Sequence, residues 1–453
     1  MRLNRLTPDE YTAAFADAAP LLTAGQAQIE SERCLYCFDA PCTTACPSEI
    51  DVPRFIHRIA DGNLVGAART ILEANPLGGT CARACPTEVL CEQVCVKVTQ
   101  EDRPIAIGRL QRYAVDRCLE RFDQPLFQRA EPTPHRVAIV GAGPAGLTCA
   151  HMLARLGHAA TIFDARPKAG GLNEYGLATY KMTEDYAQRE INWLLEIGGI
   201  EIVSDWTLHD AGQLESLRAR YDAVFLGLGL PDVWQLEIPG EDLAGVRDAV
   251  DFIAELRQAK DPGEVPMGRK VLVIGGGMTA IDAAVQARLL GADSVRMVYR
   301  RGAETMPASE AERQWAQIHG VGFDYWLAPG AVIGVEGSVA GVRFVRQAIV
   351  EGKLAPTGED KILDADMVLK AIGQRLDSSR LAALGLELQG NRIRVDGEYR
   401  TNLPRVWAGG DCRFGGRDLT VEAVRDGKRA AQSIHGYLSQ LKTGRAAALT
   451  TAG

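Results

Sequence analysis

The sequence predicts an α/β protein that begins with an all-α domain, and three observations carry that prediction. Eight of the eleven cysteines crowd between Cys34 and Cys95, in a stretch whose apolar residues recur at helical spacing. Two short runs rich in β-branched residues, Arg136–Val140 and Lys270–Ile274, each lead into glycines and then a helical pattern. Strand, glycine turn and helix in that order open a three-layer Rossmann-like nucleotide-binding domain, and here the unit occurs twice. A chain of 453 residues has room for about three domains.

Composition removes several alternatives. With 46% hydrophobic and 24% charged residues the chain sits near the globular average, away from disordered, collagen-like and coiled-coil sequences. A net charge of −8 offers no basic footprint, so nucleic acid is not an expected partner. No run of 18 apolar residues occurs, so no membrane span is expected. The opening MRLNRLTPDEYTAAF lacks the apolar core of a secretory signal, which points to a cytoplasmic location. Among reducing thiols, dense cysteines bind metal or do redox chemistry more often than they form disulfides.

The first domain is expected over residues 1–130, with helical patterns at Pro53–Gly62, Leu64–Asn75 and Ile107–Phe122. Its cysteines read Cys34-x2-Cys37-x4-Cys42-x3-Cys46-Pro47, then Cys81-x3-Cys85-Pro86 and Cys91-x3-Cys95. Four thiolates closely spaced and closed by proline resemble the ferredoxin run, with x4 in place of one x2. Soft thiolates select zinc or iron–sulfur clusters. Zinc would want paired C-x2-C knuckles, and only Cys34–Cys37 qualifies, which favours iron–sulfur. The plain grouping puts the first four cysteines on one cluster and the last four on another. In ferredoxin-type runs, however, the cysteine before proline serves the other cluster. On that rule Cys34, Cys37 and Cys42 need a fourth ligand from the second run, and Cys46 joins the cysteines there. Cys118, Cys149 and Cys412 stand alone and read as small buried hydrophobes.

A proline-rich linker, Gln124–His135, leads to the first fingerprint, Gly141-x-Gly143-Pro144-Ala145-Gly146. Its first glycine makes the turn, the second admits a pyrophosphate and the third lets helix pack on strand, whose amides then face the phosphates. Asp164 ends the next strand, where an acid can accept from a ribose hydroxyl. The second fingerprint is Gly275-x-Gly277-Met278-Thr279-Ala280. There the next strand ends in Arg300-Arg301 with no acid, so a 2′-phosphate, and hence NADPH, is favoured over NADH. A solvated arginine pair is the plainer alternative. Near the C-terminus Gly409-Gly410-Asp411 follows a strand and precedes a helix from Thr420. That pattern suits a flavin, with Asp411 on its ribityl chain and the helix N-terminus at its carbonyl edge. The FAD domain is therefore expected to be discontinuous, over 135–240 and 372–440, with an NAD(P)H domain over 241–371 inserted in it. Gly373 lies at the second crossing and is taken with the NAD(P)H site. A flexible tail is expected over 441–453.

This combination resembles the dihydropyrimidine dehydrogenase and glutamate synthase small-subunit family, over about residues 28 to 440. Arg103–Asp116 is similar to the dihydropyrimidine dehydrogenase pattern, in which a glutamine completes one cluster; here that residue is Gln111. The resemblance implies two [4Fe-4S] clusters, one on Cys34, Cys37, Cys42 and Cys95, the other on Cys46, Cys85, Cys91 and Gln111, leaving Cys81 without metal. It implies that Asp164 to Leu172, ending in Gly170-Gly171-Leu172, contacts FAD, and that Lys181 stands where the family has an arginine near the flavin. The segment Gly176–Met182 departs from the family's I-P-Q-F-R-L, so the chain is no close copy of its best-known members. Family members of the bacterial pyrimidine type are NADH-dependent, against the arginine pair. The implied activity is electron input: NAD(P)H to FAD to the clusters to an FMN- and iron–sulfur-containing partner subunit that reduces uracil or thymine in pyrimidine degradation. The alternative is a small subunit of NADPH-dependent glutamate synthase or a related ferredoxin-type reductase. No catalytic acid or base is expected, since the cofactors carry the chemistry, and the seven histidines form no recognisable cluster.

Overall fold

The computed structural model describes residues 6–121 and 125–450. Phe122 and Gln124, where the sequence set element ends, lie outside them. The chain divides into two compact units. The larger holds residues 19–174, 184–231 and those from Leu376 onward; the smaller holds those up to Ala18, 175–183 and 232–375.

Within the larger unit the cysteine-bearing part is helical, as its spacing predicts. Helix Val52–Ala60 starts where Asp51 accepts from the Arg54 amide at 3.1 Å, with Pro53 in its first turn. Asn63 caps helix Leu64–Ala74 in the same way, through the Gly66 amide at 2.8 Å. With Ile107–Arg121 these helices bury Phe55, Ile56, Ile71, Leu72, Leu110 and Ala114, and Cys34, Cys42, Cys46 and Cys95 pack against that core.

Beyond the linker lies a parallel sheet of β1 (Arg136–Val140), β2 (Ala159–Phe163), β3 (Ile200–Val203), β4 (Ala223–Leu226) and β17 (Val406–Ala408), in the order β17-β4-β1-β2-β3. Alternation along β1 explains its three layers. Val137 and Ile139 join the core under helices Pro144–Arg155 and Thr420–Thr450, while Ala138 and Val140 join the opposite core with Leu214, Leu217 and Leu381. A small hairpin, β15 (Leu388–Gln389) with β16 (Arg392–Ile393), completes this unit's strands.

The smaller unit repeats the plan. Its parallel sheet runs β6-β13-β7-β8-β9: Val246–Asp248, Met367–Ala371, Lys270–Gly275, Ser294–Tyr299 and Gly322–Tyr325. Val271 and Val273 face helix Met278–Leu289, whereas Leu272 and Ile274 face an antiparallel sheet of β10 (Leu327–Val335), β11 (Ser338–Val350) and β12 (Lys353–Asp364). At the chain's entry and exit, β5 (Asp232–Val233) pairs antiparallel with β14 (Gln374–Arg375).

Three features depart from the sequence reading. Helix Pro8–Ala14 does not join the cysteine-bearing helices: Tyr11 and Phe15 bury their rings in the smaller unit's core with Phe252 and Ile253. Two buried aromatic rings are worth about 1.5–3 kcal/mol each, enough to fix the segment there. The expected tail is part of helix Thr420–Thr450, with 451–453 outside the described residues. Finally, three histidines far apart in sequence meet in the larger unit. His158 Nε2 lies 2.9 Å from His435 Nδ1, and the His135 ring stands edge-on to His158 with centroids 5.9 Å apart. Among the described residues, no helix is long and apolar enough to cross a membrane.

Candidate functional site

All eleven cysteines are free. Cys34, Cys37, Cys42 and Cys95, from both runs, line one open-mouthed pocket together with Val52, Pro53, Ile56, Ile105 and Ile107. Burial pushes the Cys34 and Cys42 thiols up, Cys42 to about 11, and each feels the charge of its neighbours, Cys95 among them. Crowded, buried thiols give up their protons when a metal compensates the charge. Among the described residues no three His, Cys, Asp or Glu side chains stand close enough to hold a single metal ion. Four thiols that share one pocket are the soft donor set that an iron–sulfur cluster takes.

The remaining cysteines of the block form a second neighbourhood. Cys46, Cys81 and Cys85 pack together with Leu90, Leu419 and Val421. Burial, and then the neighbouring thiols, hold Cys85 far above the ordinary thiol range; burial followed by Glu92 does the same for Cys91. Gln111 is buried, and its Nε2 donates to the Gly78 carbonyl at 2.7 Å, which fixes the amide plane and leaves Oε1 as its acceptor. Cys81 is 2% exposed, deeper than Cys91 at 8%. Helix Gly78–Ala84, which leads from Gly78 to Cys85, is held by Glu190, a residue that no sequence pattern singles out. Glu190 accepts from the Gly79 and Thr80 amides at 2.8 and 3.0 Å and from the Thr80 hydroxyl. Burial raises its pKa to about 7 despite these bonds.

The first fingerprint forms a tight strand-to-helix turn in the larger unit. Gly141 has φ 104°, and a Cβ there would overlap the Gly227 carbonyl. Gly143 caps the helix beginning at Pro144, and a Cβ on Gly171 would meet Gly143 Cα at 2.8 Å, so loop and turn touch backbone to backbone. Asp164 accepts from the Ala142 amide at 2.6 Å and the Arg166 amide at 2.8 Å. Leu172 begins a short helix, and Thr420 donates to Asn173 Oδ1 at 2.9 Å, joining that loop to the C-terminal helix. Asp411 Oδ1 is buried with no hydrogen-bond partner among the described residues, and burial pushes its carboxyl up to about 7. An orphaned acceptor beside Gly410 fits a ligand hydroxyl such as the ribityl chain presents.

Lys181 lies in the smaller unit, where Nζ sits 2.8 Å from Asp282 and 2.7 Å from Glu312. Burial opposes its charge, yet the two carboxylates hold its pKa above the usual lysine value.

The second fingerprint lies in the smaller unit. Gly275 has φ 149°, and a Cβ there would overlap the Ala371 carbonyl. Gly277 caps helix Met278–Leu289, which includes Thr279 and the fully buried Ala280. Sequence reasoning missed Gly276: a Cβ there would meet the Tyr299 ring at 2.6 Å, and the unbroken run of three glycines was the available signal. Arg300 and Arg301 are exposed, and among the described residues neither guanidinium has an acid or hydrogen-bond partner. Gly373 accepts from the Trp234 amide at 3.2 Å.

Comparison with known proteins adds the family. The profile of the pyridine nucleotide-disulphide oxidoreductases matches residues 135–427, and that described as dihydropyrimidine dehydrogenase domain II, 4Fe-4S cluster, matches residues 11–122. The chain is 36% identical to the NAD-dependent dihydropyrimidine dehydrogenase subunit PreT of Escherichia coli K12, over 95% of this chain and 97% of the relative. It is 34% identical to the glutamate synthase [NADPH] small chain of the same organism, over 94% of each. Among solved structures, Mycobacterium tuberculosis FprA in complex with NADPH shares the fold, with TM-score 0.59 and 22% identity over 69% of this chain and 86% of that one. The chain thus belongs to the flavin- and iron–sulfur-dependent NAD(P)H oxidoreductases of the pyridine nucleotide-disulphide oxidoreductase family.

Proposed function

We propose that the chain is the electron-input subunit of an NAD(P)H-dependent dihydropyrimidine dehydrogenase. The observation that carries this reading is Gln111, buried, with its amide nitrogen on the Gly78 carbonyl and its oxygen left to accept. That is the disposition a neutral oxygen ligand needs. Gln111 would complete the set with Cys46, Cys85 and Cys91, and Cys34, Cys37, Cys42 and Cys95 would hold the first cluster around their cavity.

When bound, FAD would supply a hydride acceptor for NAD(P)H and the clusters a one-electron route toward an FMN-containing partner that reduces uracil or thymine. The chain's own residues position those groups. The turn amides after Gly141 and the helix from Pro144 hold the FAD pyrophosphate, Asp164 keeps that turn closed, and Asp411 accepts from the ribityl chain. The turn after Gly275 holds the nicotinamide dinucleotide, and Arg300 and Arg301 grip a 2′-phosphate, in support of NADPH. Apolar side chains flank both thiol groups, Val52, Ile56 and Ile107 the first and Leu90 and Val421 the second, which would limit solvent at the clusters.

A second reading, the small subunit of an NADPH-dependent glutamate synthase, is favoured by the unpaired arginines and by the 34% identity to that chain. Mixing the purified protein with candidate large subunits and NAD(P)H separates the two. Dihydrouracil formation supports the first; glutamate formation without pyrimidine reduction overturns it.

A further inference from the structure

The side of helix Thr420–Thr450 that meets the cysteine-bearing helices carries one group that nothing above uses. Val421 packs on Cys81 and Leu90. Lys428, seven residues on and therefore on the same stripe of the helix, donates to the Ser48 carbonyl at 2.7 Å and the Ala74 carbonyl at 3.3 Å. Ser48 in turn lies beside Cys46, with Oγ 3.6 Å from the thiol sulfur.

The ammonium is half-buried, yet among the described residues no carboxylate lies within ion-pairing distance of it. Glu49, which faces the same helix, is held by Arg429 at 3.0 Å. Elsewhere the fold does pair its buried lysines: Lys370 lies between Glu241 and Asp248, and Lys181 between Asp282 and Glu312. Withdrawing a cation from water with no carboxylate in contact is costly; Glu49 and Cys46 favour its charge from farther off, and two neutral carbonyls recover only part of the cost.

We propose that Lys428 is the counter-charge of the second thiolate set and raises the reduction potential of the cluster held there. The proposal rests on the reading above of Cys46, Cys85, Cys91 and Gln111 as cluster ligands. Several thiolates around a cluster leave it anionic, and reduction adds one further negative charge. A fixed cation beside it favours the reduced form, which is how nearby charge sets such potentials. Because Lys428 sits on the helix that begins at Thr420, one rigid element would link the flavin edge to the cluster that accepts from it. Lys428 touches neither thiol nor substrate, so it is a positioning and tuning residue, not a catalytic one.

The test is an EPR-monitored redox titration of the purified holoprotein and its Lys428→Met, Lys428→Gln and Lys428→Arg variants. The second cluster is identified as the signal that Gln111→Ala perturbs. In Lys428→Met and Lys428→Gln, the ratio of reduced to oxidised second cluster at a fixed potential falls about tenfold, a shift of about 59 mV for a one-electron couple. Lys428→Arg stays near wild type, and the first cluster does not move in any variant. Glutamine can still donate to the two carbonyls without carrying charge, so it separates a structural bond from an electrostatic one. Unmoved potentials in Lys428→Met and Lys428→Gln overturn the proposal. So does a glutamine variant that behaves as wild type. Iron and sulfide analysis showing a single cluster in the wild-type protein overturns the ligand reading beneath it, and is seen before any variant is made.

Discussion

The sheet carrying Gly141 and the sheet carrying Gly275 share one plan: five parallel strands, with the fingerprint strand in the middle and the strand that follows it at its side. They differ in what waits at the end of that neighbouring strand. After β2, Asp164 is already spent inside the protein, on the amides of Ala142 and Arg166. After β8, Arg300 and Arg301 are open to solvent and unpaired among the described residues. A turn braced by its own acid is organised before any ligand arrives, as suits a resident cofactor. Two guanidiniums with nothing to hold suit a ligand that comes and goes and brings its own anion.

The sharpest way to break this comparison is to strain the two turns equally. Valine at Gly141 or at Gly275 is forced into a left-handed conformation against a carbonyl, which costs about 3 kcal/mol or more, on the order of 100-fold in affinity. Gly141→Val is expected to purify with little FAD, measured by flavin content. Gly275→Val keeps its flavin and loses NAD(P)H oxidation. A Gly141 variant that retained full flavin would show that the two turns are not specialised.

Glu190 is a second acid held by amides, and its stability effect runs with pH. Its folded pKa, about 7, lies above the ordinary 4.5, with burial the largest cause. Stability from this group is therefore full below pH 4.5 and is lost as pH rises through 7, by about 3 kcal/mol at pH 8. Thermal unfolding at pH 5 and pH 8 should show Glu190→Gln losing less stability across that interval than wild type. Equal losses would mean that the carboxyl is not destabilised by burial.

Much of this architecture is legible from local pattern. Strand Ser294–Tyr299 and the helix start at Thr420 fall where alternation and turn chemistry place them, because each is decided by neighbours within a few residues. Pairings between distant segments are not legible. Nothing in the sequence around His158 announces His435, and nothing in Tyr11 or Phe15 reveals which core will take them. The partners of Lys181 are of the same kind: two carboxylates from distant segments, Asp282 and Glu312, hold its ammonium. The crossover of thiols is intermediate: the proline rule suggested it, and the cavity that Cys95 shares with Cys34, Cys37 and Cys42 could be seen only in three dimensions.

A smaller effect sharpens the contrast between the two turns. Replacing Arg300 and Arg301 by alanine removes charged hydrogen bonds worth about 1.5–3 kcal/mol each when a phosphate is bound. The double variant should bind NADPH at least about tenfold more weakly by titration calorimetry, with NADH affected far less, and the wild-type preference should shrink as salt rises. Equal losses for both nucleotides would mean that the arginines do not read the 2′-phosphate.

The smallest expected effect belongs to Cys81. It is enclosed by the fold, packed with Cys46 and Cys85 and almost without exposure. Enclosure alone does not make it a ligand, because Gln111 offers an oxygen whose amide is already oriented by Gly78. Serine at Cys81 changes little volume and buries one hydroxyl, a cost of about 1 kcal/mol. If the oxygen of Gln111 is the eighth ligand, Cys81→Ser keeps its full iron while Gln111→Ala loses part of it. The reverse pattern, with iron falling by about half only in Cys81→Ser, would move the metal onto the buried thiol and leave the glutamine as a brace for helix Gly78–Ala84.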